Sequence, residues 1–301
     1  MNRIFLLVMV CLMAVLQACD NNTTDKNTQV ASEPAVAAVT NDDSVAGGNQ
    51  VAAAEDSMAK ILAGEHRSAQ NKARDKYRHP AETLAFFGLR PDSTVMEIWP
   101  GEGWYTEIIA PYVRGNGRFI AAGFDPDSEI EFVRNGAAKY KAKLDANPEL
   151  YDHVELAVLM PPDKLELAPP DSIDLILTFR SIHNWMPRGS QDAVIAAMYR
   201  ALKPGGIVGV EEHRGIASEP QDPEAKTGYV NQDYAISLFE KAGFVLDATS
   251  EINANPADTK NYPEGVWTLP PTLRMGEENR DTYLAIGESD RFTLRFMKPA
   301  K

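Results

Sequence analysis

Residues 95–104, with the sequence VMEIWPGEGW, decide how the rest of the chain is interpreted. The stretch begins as a short apolar strand that ends near Glu97, continues into a turn containing Gly101 and Gly103, and leads into a helix. Glycine lets a backbone adopt positive φ angles and approach a ligand closely, and the free N–H groups of a helix N-terminus can bind a polar group. Because the pattern needs few residues, its meaning depends on the elements around it.

Strands and helices alternate on both sides of this turn. We predict helices at 81–88, 104–113, 125–146, 190–204 and 231–243. We predict strands at 95–98, 118–124, 153–159, 173–179, 207–210, 244–252 and 291–297. Strands separated by helices imply a parallel sheet, and the last two, with no helix predicted between them, indicate an antiparallel member. The prediction is an α/β fold with a single doubly wound, mostly parallel seven-stranded sheet.

The N-terminus carries a targeting pattern. Arg3 precedes a predominantly apolar run at 4–18 that is too short for a comfortable membrane span. The run ends in LQAC at 16–19, which resembles the lipobox of bacterial lipoproteins. In that family the signal is cut before the cysteine, so the resemblance implies a signal peptide at 1–18, lipid on Cys19 and a membrane anchor on the periplasmic side. A plain signal peptide or an N-terminal anchor helix is the alternative.

The rest of the chain divides by composition. Residues 19–56 contain no aromatic side chain and are predicted to form a disordered tether. Residues 57–76 are predicted to be a polar helical lead-in, and residues 77–301 are enough for one domain with a sizeable core. The two cysteines are Cys11 and Cys19, so a processed chain would have no thiol for a disulfide, a thiolate metal site or a nucleophile.

The charge of the chain limits its partners. It has 30 Lys and Arg against 43 Asp and Glu, for a formal net charge of −13. Nucleic acids and anionic membrane faces both require clustered basic side chains, so the expected contact with the membrane is the lipid on Cys19, and no nucleic acid is expected. The sequence contains no Ser nucleophile elbow, P-loop or zinc-binding helix motif.

Four pieces of sequence carry a resemblance to a known family. They are EIWPGEGWYTEIIAPY (97–112), FRSIHNW (179–185), LKPGGIVGVEEHR (202–214) and GESDRFTLRFMKP (287–299). Together they resemble the class I S-adenosylmethionine (SAM)-dependent methyltransferases, in particular a group of predicted bacterial methyltransferases exported to the envelope. The resemblance covers about 77–301. It implies a Rossmann-like fold, SAM as cofactor, and methylation of an unidentified small-molecule acceptor.

The resemblance also implies a set of cofactor-binding residues. The acid at the end of the first strand corresponds to Glu97, and the second and third glycines of the cofactor loop correspond to Gly101 and Gly103. The first glycine is Trp99 here, which is a departure, because a large side chain would fill space next to the cofactor. The acids expected near the ribose and the adenine complete the predicted set, which is Glu97, Gly101, Gly103, Asp125 and Asp163.

Polar residues follow the fourth and fifth strands. Ligands of open α/β sheets lie beyond the carboxyl ends of the strands, and a neutral His there can accept the proton that an OH or NH acceptor loses. His183 could instead be structural, and Trp185 could be a lid or, as we favour, part of the core. The predicted catalytic residues are His183, Asn184 and His213, and the predicted substrate-binding residues are Arg180, Trp185 and Arg214.

Two further alternatives remain at this stage. His183 and His213, with Glu211 or Glu212, could form a metal site, but the spacing specifies no geometry and no metal is predicted. The second alternative is a non-catalytic binding or scaffold lipoprotein that keeps a methyltransferase fold. SAM is made in the cytoplasm, which this chain is expected to leave, and Trp99 replaces a loop glycine.

Overall fold

One seven-stranded sheet organises the part of the chain that the computed structural model describes, residues 54–300. The strand order is β3-β2-β1-β4-β5-β7-β6. Strands β1 to β5 are parallel to one another, and β7 runs antiparallel to both β5 and β6. The predicted fold class is confirmed. The strands are β1 (Thr94–Ile98), β2 (Arg118–Gly123), β3 (Val154–Val158), β4 (Ile173–Phe179), β5 (Leu202–His213), β6 (Val245–Ser250) and β7 (Arg291–Met297).

Helices cover both faces of the sheet. They are α1 (54–63), α2 (Ala69–Lys72), α3 (Asp75–Arg78), α4 (Pro80–Phe86), α5 (Thr106–Val113), α6 (Glu131–Ala146), α7 (Pro148–Tyr151), α8 (Ile182–Trp185), α9 (Gln191–Ala201), α10 (Gln232–Lys241) and α11 (Arg280–Ile286). Over residues 54–300, none of them is long and apolar enough to span a membrane.

Strand β4 shows why the sheet is buried on both sides. Its sequence, IDLILTF, is almost continuously apolar, as expected for a parallel strand covered by helices on each face. Ile176 belongs to the hydrophobic cluster on one face, whereas Leu175 and Leu177 belong to the cluster on the other. Because successive side chains of a strand point to opposite faces, this one strand anchors both cores. Truncating Ile176 to Ala would cost about 2–5 kcal/mol.

Strand pairing brings three chain segments to one edge of the sheet. Phe179, the last residue of β4, lies opposite Glu211 of β5. His213, at the end of β5, lies opposite Arg291, the first residue of β7. The chain leaving β4, the end of β5 and the chain entering β7 therefore meet at the same place.

Two predicted element boundaries and one missed helix need correction. Helix α6 begins at Glu131 rather than near Asp125, because the Asp125 carboxylate accepts the N–H of Asp127 and forms a local turn that competes with the helix. Strand β5 begins at Leu202, not 207, since the Lys298 backbone pairs with the Gly205–Gly206 turn. Helix α11 lies between β6 and β7, where no helix was predicted.

The N-terminal predictions fall partly within the described chain. Residues 54–56, the end of the predicted tether, are helical and belong to α1. The predicted lead-in contributes Met58 to the core and the fully buried Arg67, whose guanidinium donates two hydrogen bonds to Asp75. The signal peptide at 1–18, Cys19 and the remainder of the tether lie outside the described residues.

Candidate active site

The turn after β1 adopts left-handed backbone conformations at three positions. The φ angles are +47° at Trp99, +60° at Gly101 and +76° at Gly103. A Cβ atom added at Gly101 would meet no atom within 4 Å, whereas one at Gly103 would lie 3.1 Å from the Lys143 side chain and 3.2 Å from the Tyr140 ring. Gly101 therefore borders open space, and Gly103 is needed for close packing against α6.

The indole of Trp99 lies along the carboxyl edge of the sheet. Its Nε1 donates a hydrogen bond of 2.9 Å to the carbonyl of Leu159, which follows β3. Its ring centroid is 5.5 Å from that of Phe124, which follows β2, and 6.3 Å from that of Trp185. Since β2 lies between β1 and β3, the side chain crosses the end of β2. It occupies part of the edge where open α/β sheets bind ligands.

The predicted cofactor acids have different surroundings. Glu97 is 3% exposed and accepts a hydrogen bond of 3.1 Å from Thr106 Oγ1, so it connects β1 to α5. Burial raises the pKa of Glu97 to about 7, although the Thr106 hydrogen bond opposes the rise. Asp125 follows β2, and its carboxylate accepts a hydrogen bond of 2.6 Å from the Lys164 ammonium, which lowers the pKa of Asp125. Asp163, next to Lys164, is exposed in the turn after β3.

His183 is held by a buried carboxylate. Its Nδ1 lies 2.9 Å from Glu212 Oε1, and its backbone N–H donates to Glu212 Oε2 at 3.3 Å. Glu212 is completely buried. A carboxylate can only accept, so Nδ1 carries the proton and Nε2 is left as the basic atom. The Asn184 amide donates to that Nε2 at 3.0 Å.

His213 completes a pair of imidazoles at this edge. The ring centroids of His183 and His213 are 5.3 Å apart, and His213 Nδ1 lies 2.6 Å from Ser289 Oγ. Burial, and then the charges of His183 and Arg180, hold the pKa of His213 well below its usual value. His213 is therefore neutral near pH 7.

A cluster of arginines surrounds the pair, and sequence reasoning missed most of it. Arg74 and Arg78 donate to the two carboxylate oxygens of Glu288, at 2.6 and 3.0 Å. Arg291 connects Glu288 to Glu211, with distances of 2.9 and 3.0 Å. The resemblance of the piece at 287–299 predicts no role for the charges in it. Two signals were present in the sequence, the YRHP run at 77–80 and the ESDR run at 288–291.

Arg180, which was predicted as a substrate-binding residue from its place after β4, belongs to the same cluster. Its Nη1 donates to Glu211 Oε1 at 2.6 Å, and its own backbone N–H donates to the Glu211 carbonyl at 2.7 Å. The backbone at Arg180 has a φ of +57°, a conformation that costs a non-glycine residue free energy and that tends to occur at functional sites. Arg180 is thus fixed by both its side chain and its main chain.

A cavity of about 210 Å³ opens between these groups. It brings together three of the predicted site residues, Arg180, His183 and His213. Among the other residues that line it are Arg74, Arg78 and Trp267.

The remaining predicted residues lie elsewhere. Asn184 is exposed and bonded to His183. Trp185 is fully buried in the core, which agrees with the core interpretation and removes it from contact with a substrate. Arg214 points away from the cavity, donating to the Glu251 carboxylate and the Arg291 carbonyl. Its predicted role in substrate binding therefore has no geometric basis.

The His pair and Glu212 are close enough to suggest a metal site. One ligand atom from each of His183, Glu212 and His213 lies within 4.8 Å of the others. Both Glu212 oxygens, however, already accept hydrogen bonds, from His183 and from the N–H of His213. We therefore interpret the group as a histidine oriented by a carboxylate.

Comparison with known proteins shows the fold. No protein-family model matches the chain, and no curated protein sequence matches it. The [4+2]-cyclase SpnF superimposes with a TM-score of 0.52 at 18% identity, covering 79% of this chain and 85% of its own. A SAM-dependent methyltransferase from Aquifex aeolicus gives 0.49 at 16% identity, covering 75% and 93%.

A third solved structure is similar to the chain to about the same degree. Phosphoethanolamine N-methyltransferase 2 of Haemonchus contortus, solved in complex with SAM, gives a TM-score of 0.49 at 16% identity, covering 74% of this chain and 53% of its own. At 18% identity, the likeness to SpnF shows a shared Rossmann-like fold and nothing more. A shared fold does not decide the reaction.

Proposed function

We propose that the chain is a SAM-dependent methyltransferase whose small-molecule acceptor binds in the cavity beside His183 and His213. The observation that carries this proposal is the orientation of His183 by the buried Glu212. A carboxylate that fixes one imidazole nitrogen makes the other a base. The base lies beyond β4 and β5, which is where open α/β sheets bind their ligands.

The turn after β1 and the end of β2 fit a cofactor of this kind. Open space at Gly101 leaves room for a ligand against the backbone, and Asp125 supplies a carboxylate that can accept hydrogen bonds from hydroxyl groups. When bound, SAM supplies an electrophilic methyl group. A ligand that reaches both residues must either pack on the Trp99 indole or displace it.

The protein residues then have separate roles in the transfer. His183 Nε2 accepts the proton that an OH or NH acceptor loses, and it must exchange its hydrogen bond from Asn184 for one from the acceptor. Glu212 stabilises the resulting imidazolium at close range, because an opposite charge within about 4–6 Å favours the charged form. His213, held neutral, can donate or accept a hydrogen bond without adding charge.

A second candidate function is favoured by Trp99. Its indole crosses the carboxyl edge from β1 to the end of β3 and fills space that a nucleoside would use. On this alternative the chain is a non-catalytic binding or scaffold protein that keeps the fold. The cavity would then bind a ligand without transferring a methyl group.

We also propose that the protein is anchored by lipid on Cys19 at the periplasmic side of a bacterial membrane. The support for this location is the LQAC pattern after an apolar run. It is independent of the fold and of the reaction.

Cofactor binding tests the proposal directly. Titration calorimetry of the purified protein with SAM at millimolar concentrations should give a saturable heat. A well-folded protein that gives no heat of binding would exclude the methyltransferase and leave the binding protein as the better candidate.

A further inference from the structure

The arginines that line the cavity have N–H groups without a hydrogen-bond partner among the described residues. Arg78 uses only Nε in its hydrogen bond to Glu288, and Arg74 does the same. Arg180 uses Nη1 in its side-chain hydrogen bond to Glu211. Among the described residues, no hydrogen bond is made by Nη1 or Nη2 of Arg74 and Arg78, or by Nε or Nη2 of Arg180. From this geometry we infer that the cavity is a binding site for the carboxylate or phosphate group of a small organic anion.

The balance of charge supports an anionic ligand. Four arginines, Arg74, Arg78, Arg180 and Arg291, share the carboxylates of two glutamates, Glu211 and Glu288. Both glutamates are almost completely buried. Burial would raise the pKa of Glu288, but the neighbouring arginines, Arg78 first, lower it to about 2. Both carboxylates are therefore ionised, and the four arginines carry more positive charge than the two glutamates carry negative charge.

Arg78 shows the cost of that excess. It is 4% exposed, and its guanidinium carbon lies 4.7 Å from the centroid of the Trp104 ring. Burial, and then the charge of Arg180, lower the pKa of Arg78 to about 9. An anion in the cavity would offset this repulsion and satisfy the free N–H groups. Arg is also the side chain best suited to bind a planar carboxylate or a phosphate through two parallel hydrogen bonds.

An apolar part of the cavity lining indicates an organic ligand rather than a bare inorganic ion. It includes Val266, Trp267, Pro270 and Pro271. The guanidinium carbon of Arg274 lies over the Trp267 ring, 4.8 Å from its centroid. A ligand with a charged group at one end and a flat apolar body at the other could contact both the arginines and the apolar residues.

This inference deepens the proposed function, and it rests on that function only where it identifies the ligand as the acceptor. Two sources could supply the same anionic group: an acidic acceptor, or the carboxylate of the cofactor's amino-acid portion. Arg78 is in contact with Trp104, which directly follows Gly103, so the second source is within reach. Binding is measured without methyl transfer, so the two proposals can fail separately.

The test uses benzoate as the probe and benzamide as its neutral analogue, titrated into the purified full-length protein by calorimetry. Benzoate should bind saturably and be displaced by inorganic phosphate. Benzamide should bind at least about 10-fold more weakly, because charge-assisted hydrogen bonds are lost. Equal affinity for benzoate and benzamide, or no binding of either, would overturn the inference.

Variants locate the binding. Arg78→Met should weaken benzoate about 10-fold or more, whereas Arg118→Met, at the opposite end of the sheet, should not change it. Arg78 also binds Glu288, so its replacement could prevent folding. Thr272, which is exposed on the cavity wall, avoids this difficulty. Thr272→Glu should weaken benzoate about 10-fold by adding a negative charge, and Thr272→Gln, which has the same size and no charge, should weaken it much less. Equal effects of the two Thr272 variants would contradict the assignment.

Addition of SAM separates the two sources. If benzoate binds equally well at saturating SAM, the anionic group belongs to the acceptor. If SAM displaces benzoate and this competition depends on Arg78, the anionic group belongs to the cofactor. If benzoate binds and SAM does not, the anion site stands while the proposed methyltransferase function fails.

Discussion

The imidazole Nδ1 of His183 lies 2.9 Å from a carboxylate oxygen of Glu212. Glu212 is completely buried, while His183 lines a cavity. Neither residue type is unusual alone, and a lone histidine at a strand end is more often structural than catalytic. The pairing favours a catalytic role for His183, because the carboxylate sets the tautomer of the imidazole and leaves its second nitrogen basic.

Replacing His183 tests its role as a base. His183→Gln should lower kcat about 100-fold or more, because general base catalysis is lost, and it should leave SAM affinity unchanged. His153→Gln, a histidine substitution at the start of β3, is the matched control. Steady-state kinetics and calorimetry provide the two readouts. Parallel losses of folding stability and activity would instead assign His183 to the structure.

Glu212 acts through His183 and is therefore a positioning residue. Glu212→Gln should keep a hydrogen-bonding side chain but remove the negative charge that stabilises the imidazolium. The acidic limb of the pH–kcat profile should then move to lower pH. An unchanged profile with reduced kcat would indicate that Glu212 only supports the packing.

The buried Glu97 should make stability depend on pH. Its pKa is raised from 4.5 to about 7 in the folded protein, so the folded state holds a proton that the unfolded state has lost between these values. The contribution is fully present below pH 4.5 and is lost as pH rises to 7, for a total of about 3 kcal/mol. Glu97→Gln should abolish this pH-dependent loss in the free energy of unfolding, as measured by denaturant unfolding at pH 5 and 8. Glu149→Gln, at an exposed site, should retain it.

Gly101 provides a steric test of the cofactor site. Gly101→Val places a branched side chain in the open space beside the turn, at a φ of +60°, and should abolish SAM binding. Some loss of stability is also expected, because a β-branched residue is strained in this conformation. Gly115→Val, also at positive φ and with open space, lies before β2 at the opposite end of the sheet. It should cost similar stability and leave binding intact.

The anchor can be tested without reference to the reaction. Cys19→Ala should prevent incorporation of labelled fatty acid, and the domain should still fold, because the fold is built by residues that follow the tether. Absence of label from the unmodified protein would show that the lipobox interpretation is wrong.

The fold was predictable because its signals are local. The apolar runs of β4 and β7 gave their bounds as Ile173–Phe179 and Arg291–Met297, and the structure has the same bounds. The start of α6 was not predictable in this way, because the Asp125 turn competes with the helix. At the site, position after a strand was enough to select Arg180, His183 and His213, which line one cavity, and their roles stay predictions.

The arginine cluster depends on contacts that no local pattern contains. Arg78 and its partner Glu288 are 210 positions apart, and Arg74 is 214 positions from the same carboxylate. The sequence also could not show that Arg214, beside His213, turns to Glu251 instead of the cavity. Long-range pairing therefore decides which charges reach the ligand.

Trp99 separates the two candidate functions. Trp99→Gly removes the half-buried indole and its hydrogen bond to Leu159, but it also relieves the strain of a left-handed backbone at a non-glycine residue. These effects oppose each other, and we expect a net loss of about 1–2 kcal/mol in the free energy of unfolding. Trp99→Phe, which keeps an aromatic ring and loses the hydrogen bond, should cost about 1 kcal/mol.

Binding of SAM by the same variants gives the functional answer. If the indole is one wall of the cofactor site, the parent and Trp99→Gly should both bind SAM, and the Phe variant should resemble the parent. If the indole fills the site, the parent should give no heat of binding, and Trp99→Gly should acquire it. We expect the first result, because the turn still borders open space at Gly101. The second result would mean that this chain kept the left-handed turn of a cofactor loop while its own side chain took the cofactor's place.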